Sequence, residues 1–268
     1  MIVSGSASQS FAAALATATG RELGAVAYDR FPDGELHAAV PEFDADHAVV
    51  VVSTVSSDAH VQLLQLQDAV REAGASEVTT VLPYMGYARQ DRAFSAGEPV
   101  SARAMARAIS TGTDRVLTVN PHEEAICDFF DVPAESVDAA GRLADPLPAD
   151  LADPLFLAPD EGATDHFVKE RDHDTGEVVV EPSDAAVGDR DVVLVDDIVA
   201  TGSTMSEAID VLHDRGVDRV FVTCLHPLLV ENARTKLARA GVAALYGTDT
   251  IERPESRVSA APAVGRHL

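Results

Sequence analysis

Two hydrophobic rhythms run through this chain. Short apolar runs at Ala25–Ala27, Leu36–Val40, Ala48–Val52, Val78–Leu82 and Val116–Val119 read as strands. Between them, residues 8–19, 58–73 and 101–110 carry helical patterns, and Gly20, Gly74 and Gly112 follow where a helix is expected to stop. The second half repeats the scheme, with strands at Leu155–Ala158, Val192–Val195, Val220–Leu225 and Val242–Leu245 and helices at 204–215 and 230–240. Repeated strand–helix–strand units predict an α/β chain of two tandem halves, each a mainly parallel sheet flanked by helices. Pro146 to Pro154, rich in Asp and Pro, marks the neighbourhood of the boundary. The division expected is 1–139 for the first domain, 140–257 for the second and 258–268 for a tail.

The most informative stretch is Asp191 to Met205. Val192–Val195 reads as a buried parallel strand that delivers its carboxyl end to Asp196, Asp197 and then the small, hydroxylated run Ala200-Thr201-Gly202-Ser203-Thr204. Successive N–H groups of such a loop can converge on an anion, with Thr201, Ser203 and Thr204 adding hydroxyl donors. Met205, Ala208, Ile209 and Leu212 then fall at i, i+3, i+4 and i+7, predicting a helix whose N-terminal dipole faces the same anion. Two adjacent carboxylates would repel a polyanion unless a diol or a metal lies between. A ribose supplies the diol, its vicinal hydroxyls donating to Asp196 and Asp197 while the loop holds a phosphate at the other end of the sugar. Gly-x-Gly-x-x-Gly and Gly-Lys-Ser/Thr motifs are absent from the sequence, which argues against dinucleotide-binding and Walker-type sites.

Charge narrows the picture further. Of 268 residues, 44 are acidic and 20 basic, a formal net charge of −24, and Lys occurs only at Lys169 and Lys236. Nucleic acid or an anionic membrane would have to overcome that field, so neither is expected as a partner. An acidic, lysine-poor surface fits a cell with molar internal salt. Cys127 and Cys224 make no disulfide framework and read as inert core thiols. The first residues lack a basic start, and no run approaches the roughly 18 apolar residues of a membrane span, so the expected location is the cytoplasm.

Other chemistry stands at strand ends and turns. Phe31-Pro32-Asp33-Gly34-Glu35 has strong turn chemistry. Pro83 to Arg92, Pro-Tyr-Met-Gly-Tyr-Ala-Arg-Gln-Asp-Arg, follows a strand end, where open α/β sheets bind ligands. Arg89 and Arg92 offer forked donors for phosphate oxygens, and Gln90 can bond a base or ribose. His122 in Asn120-Pro121-His122-Glu123-Glu124 and Asp160 in Pro159-Asp160-Glu161-Gly162-Ala163 also end strands. Lys169 and Arg171 are two apart, so an extended backbone would put both cations on one face, able to close over one phosphate.

The Asp-Asp loop resembles that of type I phosphoribosyltransferases and PRPP synthetases. With the Phe-x-Asp-Gly-Glu and Tyr-x-Arg-Gln-Asp-Arg segments, Gly97-Glu98-Pro99 and Lys-x-Arg, the resemblance to archaeal PRPP synthetases (ribose-phosphate pyrophosphokinases) covers nearly the whole chain in order. It implies two phosphoribosyltransferase-like domains, the first binding ATP and the second ribose 5-phosphate, with the tail resembling the family's own. It implies ATP contacts from Phe31, Asp33, Glu35, Arg89, Gln90, Asp91 and Arg92. The first three of these would meet an adenine bound to a neighbouring subunit, hence a homo-oligomer. Asp196, Asp197, Thr201, Gly202, Ser203 and Thr204 would bind ribose 5-phosphate. His122 and Asp160 would hold Mg2+, and Lys169 with Arg171 would stabilise the transferring group.

The chain departs from the family at Gly162 to Lys169, a few residues where the family has a helix and a strand. The resemblance implies transfer of diphosphate from ATP to ribose 5-phosphate, and the shortening is the best support for the alternative of a non-catalytic, nucleotide-binding relative. A purine or pyrimidine phosphoribosyltransferase would share the sugar-phosphate loop but would need neither the Arg89–Arg92 segment nor Phe31. Activity and melting temperature are expected to rise with KCl; maximal stability in dilute buffer, measured by thermal melts across a salt series, would contradict the salt-adapted reading.

Overall fold

The computed structural model describes residues 1–158 and 187–268, together with the backbone of 168–171 and 178–181. The chain divides into two units. The first comprises Met1–Gly141, Asp249–Glu252 and Ser259–Leu268, and the second Arg142–Thr248 and Arg253–Val258.

In the first unit the order is β1 (Ile2–Ser4), α1 (Gln9–Thr19), the antiparallel hairpin β2 (Ala27–Arg30) and β3 (Leu36–Ala39), β4 (His47–Val51), α2 (Ser57–Glu72), β5 (Glu77–Leu82), α3 (Ser101–Ser110), β6 (Arg115–Val119) and β7 (Ala134–Val137). The sheet runs β1-β4-β5-β6-β7 and is parallel throughout. Its central strands are buried from end to end after their first residue, which is why they appear in sequence as unbroken apolar runs. Helix α2 begins at Ser56, whose hydroxyl oxygen accepts from the Ala59 N–H at 3.1 Å, and buries Ala59, Leu63, Leu66 and Val70 along one face. After α1 the chain returns beside β1, where Leu23 bridges Ile2. The Glu252 carboxylate accepts from the N–H groups of Ser10 (2.6 Å) and Phe11 (3.3 Å), placing negative charge at the start of α1.

The second unit contains β8 (Leu155–Leu157), the antiparallel pair β9 (Val168–Arg171) and β10 (Val178–Glu181), β11 (Asp191–Ile198), α4 (Ser203–Asp214), β12 (Arg219–His226), α5 (Ala233–Arg239), β13 (Ala244–Thr248) and β14 (Ser256–Val258). The parallel sheet runs β14-β13-β12-β11-β8. A last short helix, α6 (Ala261–Gly265), lies with the first unit against α1. Each unit thus has a first strand, a hairpin and then successive strand–helix steps. The first strands are joined differently: Leu157 to Val168 leaves less than half the chain that Ser4 to Ala27 provides.

Several sequence expectations shift. The strand expected at Ala25–Ala27 lies at Ala27–Arg30, because it is half of a mostly exposed hairpin whose pairing, not its hydrophobicity, sets its limits. The strand expected at Val242–Leu245 runs instead from Ala244 to Thr248, in register with Phe221–Cys224. The helix expected at 230–240 starts only at Ala233, because Leu229 and Glu231 take left-handed backbone angles (φ 47° and 54°) that no helix accommodates. Strands β1, β7, β9, β10 and β14 were not anticipated.

At the amino end of the second sheet, Asp191 is fully buried. Its carboxylate accepts from Arg219 Nε (2.9 Å), Arg219 Nη2 (2.5 Å) and the Ala152 N–H (2.6 Å). Those bonds, the guanidinium's first, hold its pKa below the usual carboxylate range. A depressed folded pKa stabilises the fold above the unfolded value of about 3.9 and loses that contribution as pH falls through the folded value. Asp191→Asn is therefore expected to lower the melting temperature at pH 7, with the gap from the parent chain narrowing as pH drops into the acid range. A gap that stays constant from pH 7 to pH 3 in circular-dichroism melts would assign the loss to packing instead.

Candidate active site

In the second unit the chemistry collects where β11 ends. Asp196 Oδ1 accepts from the Asp197 N–H (2.8 Å) and Asp197 Oδ1 from the Ile198 N–H (2.7 Å), so each carboxylate is braced through one oxygen by the next main-chain amide. Main-chain bonds fasten the following turn: Val199 N–H donates to the His226 carbonyl, Leu229 N–H to that of Val199 and Val230 N–H to that of Ala200. Gly202 then takes a left-handed conformation (φ 72°) directly over α5, where an added Cβ would lie 3.4 Å from both the Ala233 carbonyl oxygen and Leu237 Cγ. The left-handed angle is the one that glycine takes at no steric cost. Helix α4 starts at the next residue and has no side-chain cap, leaving its first N–H groups available to an anion. Thr201 Oγ1 and Ser203 Oγ stand 3.4 Å apart, and Lys236 Nζ donates to Ser203 Oγ at 2.9 Å. The structure therefore brings Asp196, Asp197, Thr201, Gly202, Ser203 and Thr204 onto one strand–loop–helix turn. Lys236 is a neighbour that sequence reasoning passed over, although its rarity was a usable signal.

Lys169 and Arg171 lie in β9, with Val180 and Val178 as their backbone partners in β10. Asp160 lies outside the described residues.

In the first unit two candidate segments meet one end of α2. The β2–β3 turn is closed by Phe31 N–H to the Glu35 carbonyl (2.8 Å) and Gly34 N–H to the Phe31 carbonyl (2.8 Å), while Asp33 Oδ1 accepts from the Glu35 N–H (3.2 Å). Phe31 is 49% exposed at its tip, with the His37 ring 5.3 Å away between centroids. Arg30, at the base of this turn, pairs with Asp58 in the first turn of α2. The loop after β5 reaches the same end through Tyr87, whose hydroxyl is 3.4 Å from Ser57 Oγ. Gly86 in that loop donates to Thr54 Oγ1 (2.8 Å), and a Cβ there would meet the Thr54 carbonyl oxygen at 2.1 Å, so the loop is pressed onto the end of β4. Gln90 ties the loop to α3: its main-chain oxygen accepts from Ala102 N–H (3.1 Å) and its side-chain oxygen from the Ser101 hydroxyl. Beyond these anchors Arg89 and Arg92 are exposed, Asp91 is half-buried, and the Arg92 guanidinium lies 5.5 Å from the centre of the Phe94 ring. Gln90's role is therefore partly structural, whereas the arginines project.

His122 is exposed beyond the carboxyl end of β6, the neighbour of β5 in the sheet. The turn before it is fixed by Asn120, which donates to Asp138 Oδ1 (3.0 Å) and accepts from the Ala139 N–H (2.8 Å). Among the described residues no three His, Cys, Asp or Glu side chains converge. Burial pushes both cysteine thiols upward, Cys224 most strongly, which leaves neither suited to nucleophilic work. Among the described residues no helix is long and apolar enough to cross a membrane.

Comparison with known proteins agrees with this arrangement. The family model for the N-terminal domain of ribose phosphate pyrophosphokinase matches residues 1–112, and that for the phosphoribosyl transferase domain matches residues 132–248. Over the full length of both chains the sequence is 63% identical to a ribose-phosphate pyrophosphokinase of Halobacterium salinarum. That alignment spans 284 residues, more than the 268 of this chain, so the relative carries residues without a counterpart here. Identity is 43% to the enzyme of the same name from Methanosarcina mazei, across all of this chain and 94% of that one. A crystal structure of phosphoribosylpyrophosphate synthetase from Mycobacterium smegmatis superposes with a TM-score of 0.81 at 25% identity, covering 100% of this chain and 96% of the other. Matched in both of its halves and identical at 63% of positions to a relative over its whole length, the chain belongs to the ribose-phosphate pyrophosphokinase family.

Proposed function

We propose that this chain transfers the diphosphoryl group of ATP to ribose 5-phosphate, giving AMP and 5-phospho-α-D-ribose 1-diphosphate. The observation that carries the reading is the turn from Asp196 to Thr204: two braced carboxylates, a left-handed Gly202 and an uncapped helix start, a set that suits a sugar diol and its phosphate together. Asp196 and Asp197 accept the vicinal hydroxyls, and Thr201, Gly202, Ser203 and Thr204 hold the 5-phosphate. Arg89 and Arg92 grip the triphosphate of ATP, with Gln90 and Asp91 beside them. Phe31, Asp33 and Glu35 reach the adenine held by a second copy of the chain, which makes the working form a homo-oligomer; the exposed Phe31 tip supports that role.

The anomeric hydroxyl gives up its proton to solvent water as its oxygen forms a bond to the β-phosphorus, while the bond from that phosphorus to the α,β-bridging oxygen breaks and AMP leaves with that oxygen. Such a transfer needs positioning and charge stabilisation more than covalent help. Lys169 and Arg171, two apart in β9, supply donors to the oxygens of the moving group. No general base is assigned. His122 and Asp160 are the residues proposed to hold Mg2+. The exposed imidazole of His122 suits a cation that keeps most of its waters and takes oxygens from the substrate. When bound, Mg2+ neutralises phosphate charge. The reaction is placed in the cytoplasm.

The test is mass-spectrometric detection of AMP and the ribosyl diphosphate from ATP, ribose 5-phosphate and Mg2+ in high KCl. A second reading, a nucleotide-binding subunit without turnover, is favoured by the short connection from Leu157 to Val168. It gains if the purified chain binds ATP and makes no AMP. A base-plus-ribosyl-diphosphate assay separates a phosphoribosyltransferase. Lys169→Ala is expected to lower kcat by about 10²- to 10³-fold, as loss of one donor to a developing charge does, with ATP affinity little changed. An equal loss of ATP affinity, by titration calorimetry, would make Lys169 a ground-state contact.

A further inference from the structure

Ser203 has one bonding partner whose chemistry is one-sided. The Lys236 ammonium lies 2.9 Å from Ser203 Oγ, and an ammonium donates hydrogen bonds but accepts none, so the hydroxyl oxygen is the acceptor and its own hydrogen must point elsewhere. Thr201 Oγ1, at 3.4 Å, is a weak alternative, so the hydrogen is available to a ligand in the turn. Lys236 belongs to the helix that backs this turn: Ala233, about one helical turn earlier in α5, and Leu237, the next residue, both border the position of Gly202. Among the described residues Lys236 forms no ion pair with a carboxylate, although Asp210 and Arg239 share with it a polar cleft of about 350 Å3 between α4 and α5. In a chain of net charge −24, with Asp196 and Asp197 at the mouth of the same turn, a half-buried cation at this point is not background.

We infer that Lys236 is a positioning residue for the sugar phosphate: it fixes the Ser203 hydroxyl as a donor and sets a positive charge behind the turn, so that the turn selects a phosphate dianion over neutral sugars. This rests on the assignment of residues 196–204 as the ribose 5-phosphate site. Arg would keep the charge but not the compact, single-point geometry.

Steady-state kinetics in high KCl on Lys236→Met, Lys236→Arg, Ser203→Ala and the Ser203→Ala/Lys236→Met double variant test it. Lys236→Met is expected to raise the KM for ribose 5-phosphate about tenfold or more, the scale of one charge-assisted hydrogen bond, with the KM for ATP and kcat within about threefold. Lys236→Arg should recover part of the loss. Because Lys236 acts partly through Ser203 and partly through its charge, the double variant should lose clearly less than the sum of the two single losses. Fully additive losses, or an equal rise in the KM for ATP, would overturn the inference. For the unmodified chain, calorimetry should show ribose 5-phosphate binding far above ribose; equal affinity would also overturn it, whether or not the variants fold. If Ser203→Ala weakens ribose 5-phosphate binding and Lys236→Met does not, this inference fails while the site assignment stands. If neither Ser203→Ala nor Gly202→Val alters that binding, the assignment fails too.

Discussion

The register of the second sheet hangs on the carboxylate of Asp191. One side chain ties the first residue of β12, through Arg219, and the approach to β8, through Ala152, to the first residue of β11. Three adjacent parallel strands are thereby aligned at their amino ends. A strand advances about 3.3 Å per residue and alternates its faces, so a slip of one position would turn every side chain to the opposite face of the sheet and carry the Asp196–Thr204 turn away from the helix that supports it. The first unit has a counterpart. Asp114 accepts from the Val78 N–H (2.7 Å) and pairs with Arg71 (2.5 Å), fixing the start of β5 against the lead-in to β6. In both units alignment is enforced at the end opposite to the chemistry.

At the carboxyl ends, position is carried mostly by main chain. The Val199–Ala200 turn is held by amides of Leu229 and Val230, and Gly202 has α5 for its floor. The loop at Gly86 rests on Thr54 in the same way. Groups fixed before a ligand arrives cost little reorganisation when it binds, which is what transfer between two anions demands. The side chains that remain outside this scaffolding, Arg89, Arg92 and the tip at Phe31, are the ones that reach outward.

How much of this could be read in sequence follows from burial. Central strands β4, β5, β11 and β12 are enclosed on both faces, so their valine runs announced them. The edge strands β7 (Ala-Glu-Ser-Val) and β14 (Ser-Arg-Val) are half wet and look like loop. Their existence depends on a neighbouring strand, which periodicity does not register. The Asp196–Thr204 turn was legible as a strand–loop–helix junction because acids, glycine and hydroxyls stand together between a buried apolar run and an amphipathic helix. The rarity of Lys236 was visible but its meeting with Ser203 was not, because the two stand 33 positions apart and spacing along a chain says nothing of such a contact. Gln90 was legible as polar and near the site, but its tie to Ser101 belongs to tertiary structure.

Each unit inserts a hairpin at the same point of its strand order, after the first strand and before the second. One bears an aromatic ring and acids at its tip; the other bears a lysine and an arginine along its first strand. Two identical half-length chains assembled about a symmetry axis would be obliged to carry the same ornament twice. In a single polypeptide each half varies without its twin, so a repeated scaffold can carry an aromatic ring at one hairpin and a lysine with an arginine in the other.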